Sequence, residues 1–393
     1  MLVGFVIAKF LSPEDLGLWS TILLALTYSV FIQGGVINGL NVELPAAYGR
    51  DDVSKAEKLA AVAQTFTLLT CIVALVVGVA TFFLLPTDNS KLRYGILGIT
   101  FIIILTFYQN YLLSTFRSNN SFAVLSKIQL AEALLNIISI SLVVYFAYYG
   151  MIFKAALVLL AFVLLLHINR PIKTNFYWDK SIFIHLLKVG LPIFILVVVE
   201  SFLQTIDKIW LIKYADLNTV GLYSFGLYAL NLFILLSTSI ATYIYPKMTY
   251  AYAKNNDKLA LWQYMKKITF LLLAVQTPLV IIGYFLIPPV VKEFFPTYML
   301  SIEVMQILLI AGLMKGSVIG VNILWSMKSW KYMYLYMITY ALLTIVSTYL
   351  FLHLNENKML GVSIGLLIAN ALSLLNAYYL SFKATHSNIS LKN

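Results

Sequence analysis

The chain has 393 residues, of which 61% are hydrophobic and 11% charged, and its formal net charge is +11. A soluble domain is roughly a quarter charged and must still turn a surface to water, so this composition excludes a water-soluble fold and indicates an integral membrane protein. The basic excess does not mark a nucleic-acid partner, because the lysines and arginines sit in short loops between apolar runs, where topology accounts for them.

Taken in chain order, Met1 to Phe10 is apolar, but ten residues span only about 15 Å as helix, half a bilayer core. The stretch has neither a basic leader nor a small-residue cleavage site, and it reads as the tail of a first transmembrane helix. Complete spans need about 20 mostly apolar residues. They are predicted near 17–42, 59–85, 95–116, 122–149, 150–168, 187–213, 219–245, 266–288, 299–325, 331–353 and 359–382. That makes eleven complete spans and one partial, twelve in all. Pro192 is expected in a first helical turn, where a missing N–H is tolerated. Pro45, Pro86, Pro246 and Pro288-Pro289 are expected to close their runs. Clusters such as Tyr145, Tyr148 and Tyr149, or Trp330, Tyr332, Tyr334 and Tyr336, read as interfacial belts.

The two halves repeat. Lys9 to Ser20 (KFLSPEDLGLWS) lies over Lys213 to Ser224 (KYADLNTVGLYS) at an offset of 204 residues, with Lys, Gly, Leu and Ser identical. A half-length repeat in an apolar chain marks a two-repeat transporter. The loops at 43–58, 117–127, 167–188, 246–267 and 326–331, with the C-terminal tail, hold 18 of the 27 lysines and arginines, so that side is expected to face the cytoplasm, C-terminus included. Both halves then enter the membrane with the same orientation, as parallel repeats. The expected fold is all-α and polytopic, two parallel six-helix repeats around a central cavity. Residues 1–168 form the first bundle, 169–188 a cytoplasmic linker and 189–393 the second bundle.

Ionisable and amide residues inside spans are costly and point to a cavity or a partner. In the seventh span Glu200, Gln204 and Lys208 recur every four residues, and Asp207 lies two turns beyond Glu200, so one helix face is expected to be polar. In the fifth span Gln129, Glu132, Asn136 and Ser139 follow one face, as do Asn110, Ser114 and Arg117 in the fourth. Lys315 sits deep in the tenth span, too far from either end for easy snorkelling. Arg117, Gln129, Glu132, Asn136, Gln204, Lys208 and Lys315 are therefore candidates to line a substrate cavity, and Glu200 and Asp207 to couple an ion. The competing reading is structural, with Glu132 or Asp207 paired to Lys208 or Lys315. Gly312, Gly316 and Gly320, like Gly35/Gly39 and Gly361/Gly365, have the spacing of close helix packing.

No phosphate-binding G-x-x-x-x-G-K-[ST] loop and no G-x-S-x-G are present, the four histidines are scattered, and Cys71 has no second cysteine to pair with. No metal, no cofactor and no catalytic residue is expected, and the longest outer loops run to about a dozen residues, an ordinary connection length.

The stretch Phe10-Leu11-Ser12-Pro13-Glu14-Asp15-Leu16-Gly17-Leu18-Trp19-Ser20 resembles the "F-L-x-P-E-x-x-G-x-Y/W" turn after the first helix of the bacterial polysaccharide exporters, the O-antigen and lipid-linked-oligosaccharide flippases. Gly190-Leu191-Pro192, Asp207-Lys208 and Val220-Gly221-Leu222-Tyr223-Ser224 are similar to that family's "G-x-P … D-[RK] … V-G-x-Y-S" pattern around the seventh helix. The family belongs to the superfamily that also holds the multidrug exporters. The resemblance implies a non-enzymatic inner-membrane transporter that moves undecaprenyl-diphosphate-linked oligosaccharide, of O-antigen or capsule type, across the membrane by alternating access. Membrane lipids and polysaccharide assembly proteins are the further partners it implies. A cation-coupled multidrug antiporter of the same superfamily is the first rival, favoring a net acidic cavity. A membrane-embedded polysaccharide polymerase is the second, disfavored by the lack of a large outer loop.

Overall fold

The computed structural model describes residues 2–255, 257–318 and 321–386. Its helices are α1 (Leu2–Ala8), α2 (Pro13–Gln33), α3 (Val36–Tyr48), α4 (Val53–Leu84), α5 (Ser90–Ser118), α6 (Phe122–Ile138), α7 (Ile140–Ile168), α8 (Lys180–Leu203), α9 (Ile206–Tyr214), α10 (Leu217–Asn255), α11 (Lys258–Phe294), α12 (Ile302–Gly316), α13 (Val321–Ser326), α14 (Trp330–Leu354) and α15 (Lys358–His386). A 3₁₀ turn, Pro296–Ser301, leads into α12. Among the described residues there is no strand.

Ten of these helical stretches are long and apolar enough to cross a membrane. The fifth predicted span is α6 plus the first turns of α7. There the chain breaks at Ser139 and bends again at Ala147 (φ 46°) before α7 continues as the sixth. Long helices such as α4, α11 and α14 leave Val76, Phe270 and Leu342 exposed. Only helices with internally satisfied backbone groups tolerate such a surface against lipid.

The expected helix stops are corrected at most prolines. Pro192 lies inside α8, which starts at Lys180 with the Asp179 carboxylate capping the N–H groups of Ser181 and Ile182. Pro45 lies inside α3, and Pro288 and Pro289 inside α11. The helix α10 runs on through position 246. Pro86 alone follows its helix end, at Leu84. Neighboring helices in a membrane can re-satisfy backbone groups that a proline frees, so the soluble-protein stop rule loses force. Tyr148 is buried.

The repeated turn has one local structure in both halves. Ser12 Oγ accepts a hydrogen bond from the Asp15 N–H at 3.1 Å. Its counterpart 204 residues on, Asp216 Oδ1, accepts from the Thr219 N–H at 2.9 Å. Each is an N-cap satisfying an orphan donor of the first helical turn, for α2 and α10 respectively. The Thr219 hydroxyl and N–H hold the Asp216 carboxyl below its usual range. Later helix starts stay in step: Val53 matches Lys258 and Phe122 matches Trp330 at nearly the same offset.

By compactness the chain forms two units, one built from the residues up to Gly17 and from Ile206 onward, the other Leu18–Thr205. In the first, the rings of Phe5 and Phe225 meet edge to face, and Tyr298 donates to the Leu11 carbonyl at 3.1 Å. Gly17 and Gly221, equivalent in the repeat, touch reciprocally. A Cβ on Gly17 would strike the Leu217 carbonyl, and one on Gly221 would strike the Pro13 carbonyl, itself the counterpart of Leu217. Only hydrogen fits between two backbones this close.

In the second unit, Leu40, Leu44, Leu59, Leu112, Phe116, Leu166 and Leu186 form one buried cluster. There α3 packs on α8, with Gly39 against the Leu186 carbonyl and Gly190 against that of Gly35. Gly312 and Gly316 are also at helix contacts, whereas Gly320 lies outside the described residues.

Candidate functional site

Of the polar residues singled out from sequence, Asn136, Glu200, Gln204, Asp207 and Lys208 lie near interruptions of the spans, whereas Arg117, Gln129 and Glu132 lie within helices. Three predicted spans are discontinuous: 17–42 breaks at Gly34–Gly35, 122–149 at Ser139, and 187–213 at Gln204–Thr205. A broken helix leaves backbone groups without intrahelical partners, and at membrane depth such a break is tolerated where protein or a water-filled cavity covers it.

In the unit Leu18–Thr205, α6 and α7 form the best-defined site. Glu132 and Asn136 stand one turn apart on α6. The Ala147 bend returns the chain alongside, and two turns later it places Lys154 in contact with Asn136. Lys154 is 7% exposed, and its Nζ donates to Asn136 Oδ1. Among the described residues it makes no other hydrogen bond, so two of its three N–H donors are left for water or a ligand. Trp19, Glu132, Asn136, Met151, Lys154 and Val158 line a cavity of about 240 Å³ here. An ammonium, a carboxylate, an amide and an indole face one space, able to hold an anionic or hydroxyl-bearing group.

Gln129 and Arg117 are exposed and do not line this cavity. Arg117 ends α5, one turn beyond Ser114, whose hydroxyl donates to Asn41 Oδ1 of α3 at 2.7 Å.

The polar face expected from Glu200 through Lys208 is corrected. The helix α8 ends at Leu203 and α9 starts at Ile206, so the 3.6-residue phase does not carry across. Glu200 and Gln204 are exposed and pair with each other, Nε2 to Oε1 at 3.0 Å. Just after them, the hydroxyls of Thr205 and Tyr28 hydrogen-bond at 2.6 Å. Asp207 belongs to the other compact unit and is 4% exposed. Tyr223 donates to its Oδ2 at 2.5 Å, and the Lys208 N–H donates to its Oδ1 at 2.8 Å. With both oxygens engaged in the first turn of α9, where the helix dipole favors an anion, Asp207 anchors α9 to α10.

Lys208 and Lys315 are both partly buried. Lys315 lies in the last turn of α12, where the helix dipole favors a cation. Among the described residues no hydrogen bond or ion pair involves its ammonium. The helix α12 ends one residue after it, at Gly316.

Lys154 is the site residue that sequence reasoning missed, because it lies near the start of the predicted sixth span rather than deep within it. The available signal was its position four residues inside that span, where Met151, Lys154, Ala155 and Val158 share one helical face.

The model of the polysaccharide biosynthesis protein family matches residues 6–300. A search of curated proteins found no match. Among solved structures, the chain is similar to an inward-facing multidrug resistance MATE family transporter of the MOP superfamily, at TM-score 0.74 and 15% identity, covering 100% of this chain and 96% of that one. It is similar to the lipid II flippase MurJ in an inward closed conformation, at TM-score 0.71 and 16% identity, covering 98% and 88%. A MATE structure in a bent conformation matches at TM-score 0.62 and 15% identity, covering 98% and 93%. From the family match and the shared fold, the chain belongs to the polysaccharide biosynthesis protein family and is a multi-pass membrane protein with the fold of the MOP superfamily transporters.

Proposed function

We propose that this protein is a flippase that carries undecaprenyl-diphosphate-linked oligosaccharide from the inner to the outer leaflet of the cytoplasmic membrane by alternating access. The observation that carries the reading is the polysaccharide-biosynthesis family match over residues 6–300, in a chain where Glu132, Asn136 and Lys154 line a shared cavity. A diphosphate calls for cations, and Lys154 supplies one in this cavity. A glycan calls for amides and hydroxyls, and Asn136 offers an amide there. The lipid tail needs no site of its own, because it can stay in the bilayer.

Of the two carboxylates first weighed for ion coupling, Glu200 is the better candidate. It is exposed and holds only an amide partner, while Asp207 is committed to Tyr223. The charge excess in the loops supports a cytoplasmic C-terminus. The rival cation antiporter would favor acidic residues alone, and the buried Lys154 weighs against it.

The test is deletion of the gene. Lipid-linked repeat units should accumulate on the cytoplasmic leaflet and surface polysaccharide should fall. Unchanged polysaccharide together with new sensitivity to cationic dyes would support the antiporter reading.

A further inference from the structure

A second polar cluster, on α3 and α5, is not used by the Lys154 cavity. The chain leaves α2 at Gln33, passes through two left-handed glycines, Gly34 (φ 56°) and Gly35 (φ 91°), and enters α3 at Val36 with no side-chain cap. Gln33 is 4% exposed, yet its Nε2 donor is buried with no partner among the described residues. Asn38, in the first turn of α3, also buries an unpartnered Nδ2. Asn41 lies one turn further on, its carbonyl oxygen taking the Ser114 hydroxyl. Asn110 precedes Ser114 by one turn on the same face of α5 and is exposed.

Ser114 on α5 thus meets Asn41 on α3, Asn38 lies about one turn before Asn41, Asn110 one turn before Ser114, and Gln33 ends the preceding helix; none of the five is charged. Buried donors without partners are costly, so Gln33 Nε2 and Asn38 Nδ2 are available to an acceptor brought by a ligand. A diphosphate would be served better by cations. Uncharged amide donors with a hydroxyl suit the hydroxyl and N-acetyl oxygens of a sugar ring.

We propose that Gln33, Asn38, Asn41, Asn110 and Ser114 form a subsite that hydrogen-bonds the sugar nearest the lipid diphosphate, reading the glycan rather than the phosphate. This deepens the flippase reading and rests on it.

The experiment measures binding of the purified full-length protein to two probes: undecaprenyl diphosphate carrying one N-acetylhexosamine, and bare undecaprenyl diphosphate. The wild type is expected to prefer the sugar-bearing lipid. Asn38→Leu and the exposed-site Asn110→Leu should each lower that preference by up to about tenfold, the weight of one net hydrogen bond, and Asn110→Gln should retain part of it. Thermal unfolding of each variant shows that the protein is folded, and the ratio of the two affinities is insensitive to partial loss of active protein. A wild type that binds both lipids equally, or variants that keep the wild-type ratio, would overturn the subsite while leaving the flippase reading intact. A wild type that binds neither lipid would overturn the flippase reading and the subsite with it.

Discussion

Lys154 and Asp207 show how a charge survives in an apolar chain. Each has at least one hydrogen-bond partner, but their arrangements differ. Asp207 has donors on both oxygens, so Tyr223→Phe removes one and leaves part of a buried carboxylate unsatisfied. That substitution should cost about 1–3 kcal/mol, read as a lower unfolding temperature in detergent. Gln204→Ala breaks only an exposed bond and should change stability by less than about 0.5 kcal/mol. Equal shifts for the two would contradict the anchor role of Asp207. Lys154 keeps two donors free. Lys154→Met should therefore reach normal protein level yet fail to restore surface polysaccharide in a deletion strain, while Lys154→Arg restores part of it because the charge remains. A fully active Lys154→Met protein would remove this residue from the site. The Glu132–Asn136 face was legible from spacing. Its partner was not, because Lys154 lies 18 residues further along and only the Ala147 bend brings it back.

Helices were legible where hydropathy alone decides them, and their interruptions were not. Each predicted complete span corresponds to helix among the described residues, but the breaks at Gly34–Gly35, Ser139 and Gln204–Thr205 lie inside apolar runs that a window average smooths over. The prolines misled for a related reason: stop rules describe helices whose freed backbone groups meet water. The repeated turn was legible because it is polar and short, and its caps on Ser12 and Asp216 give it a physical basis. The Gly17–Gly221 contact offers a test of the repeat at this scale. Gly17→Val or Gly221→Val should each destabilise by about 1–3 kcal/mol through overpacking. Because both force open the same contact, the double variant should cost less than the sum by at least about 0.5 kcal/mol. Gly49→Ala, at an ordinary helical φ of −65° with the nearest atom 3.4 Å from the added carbon, should change stability little. Strict additivity of Gly17→Val and Gly221→Val would mean that the two glycines do not share a contact in the folded protein.

At the scale of the molecule, composition gave the membrane assignment and the half-length offset gave the repeat, while the substrate is legible only through family and chemistry. Orientation follows from the basic loops: a reporter fused after Lys258 should report cytoplasm and one after Asn357 the opposite side, and the reverse pattern would overturn parallel insertion of the two halves. The measurement that bears most directly on the proposed activity is reconstitution of the purified protein into sealed vesicles containing undecaprenyl-diphosphate-linked oligosaccharide. A membrane-impermeant glycan-modifying reagent added outside then reports how much lipid is accessible. With wild-type protein, the accessible fraction should rise from the outer-leaflet pool toward the whole pool, and with Lys154→Met it should stay at the outer-leaflet value. A fraction that wild-type protein leaves unchanged, in vesicles where the same protein exchanges a cationic dye for protons or sodium, would contradict the flippase assignment.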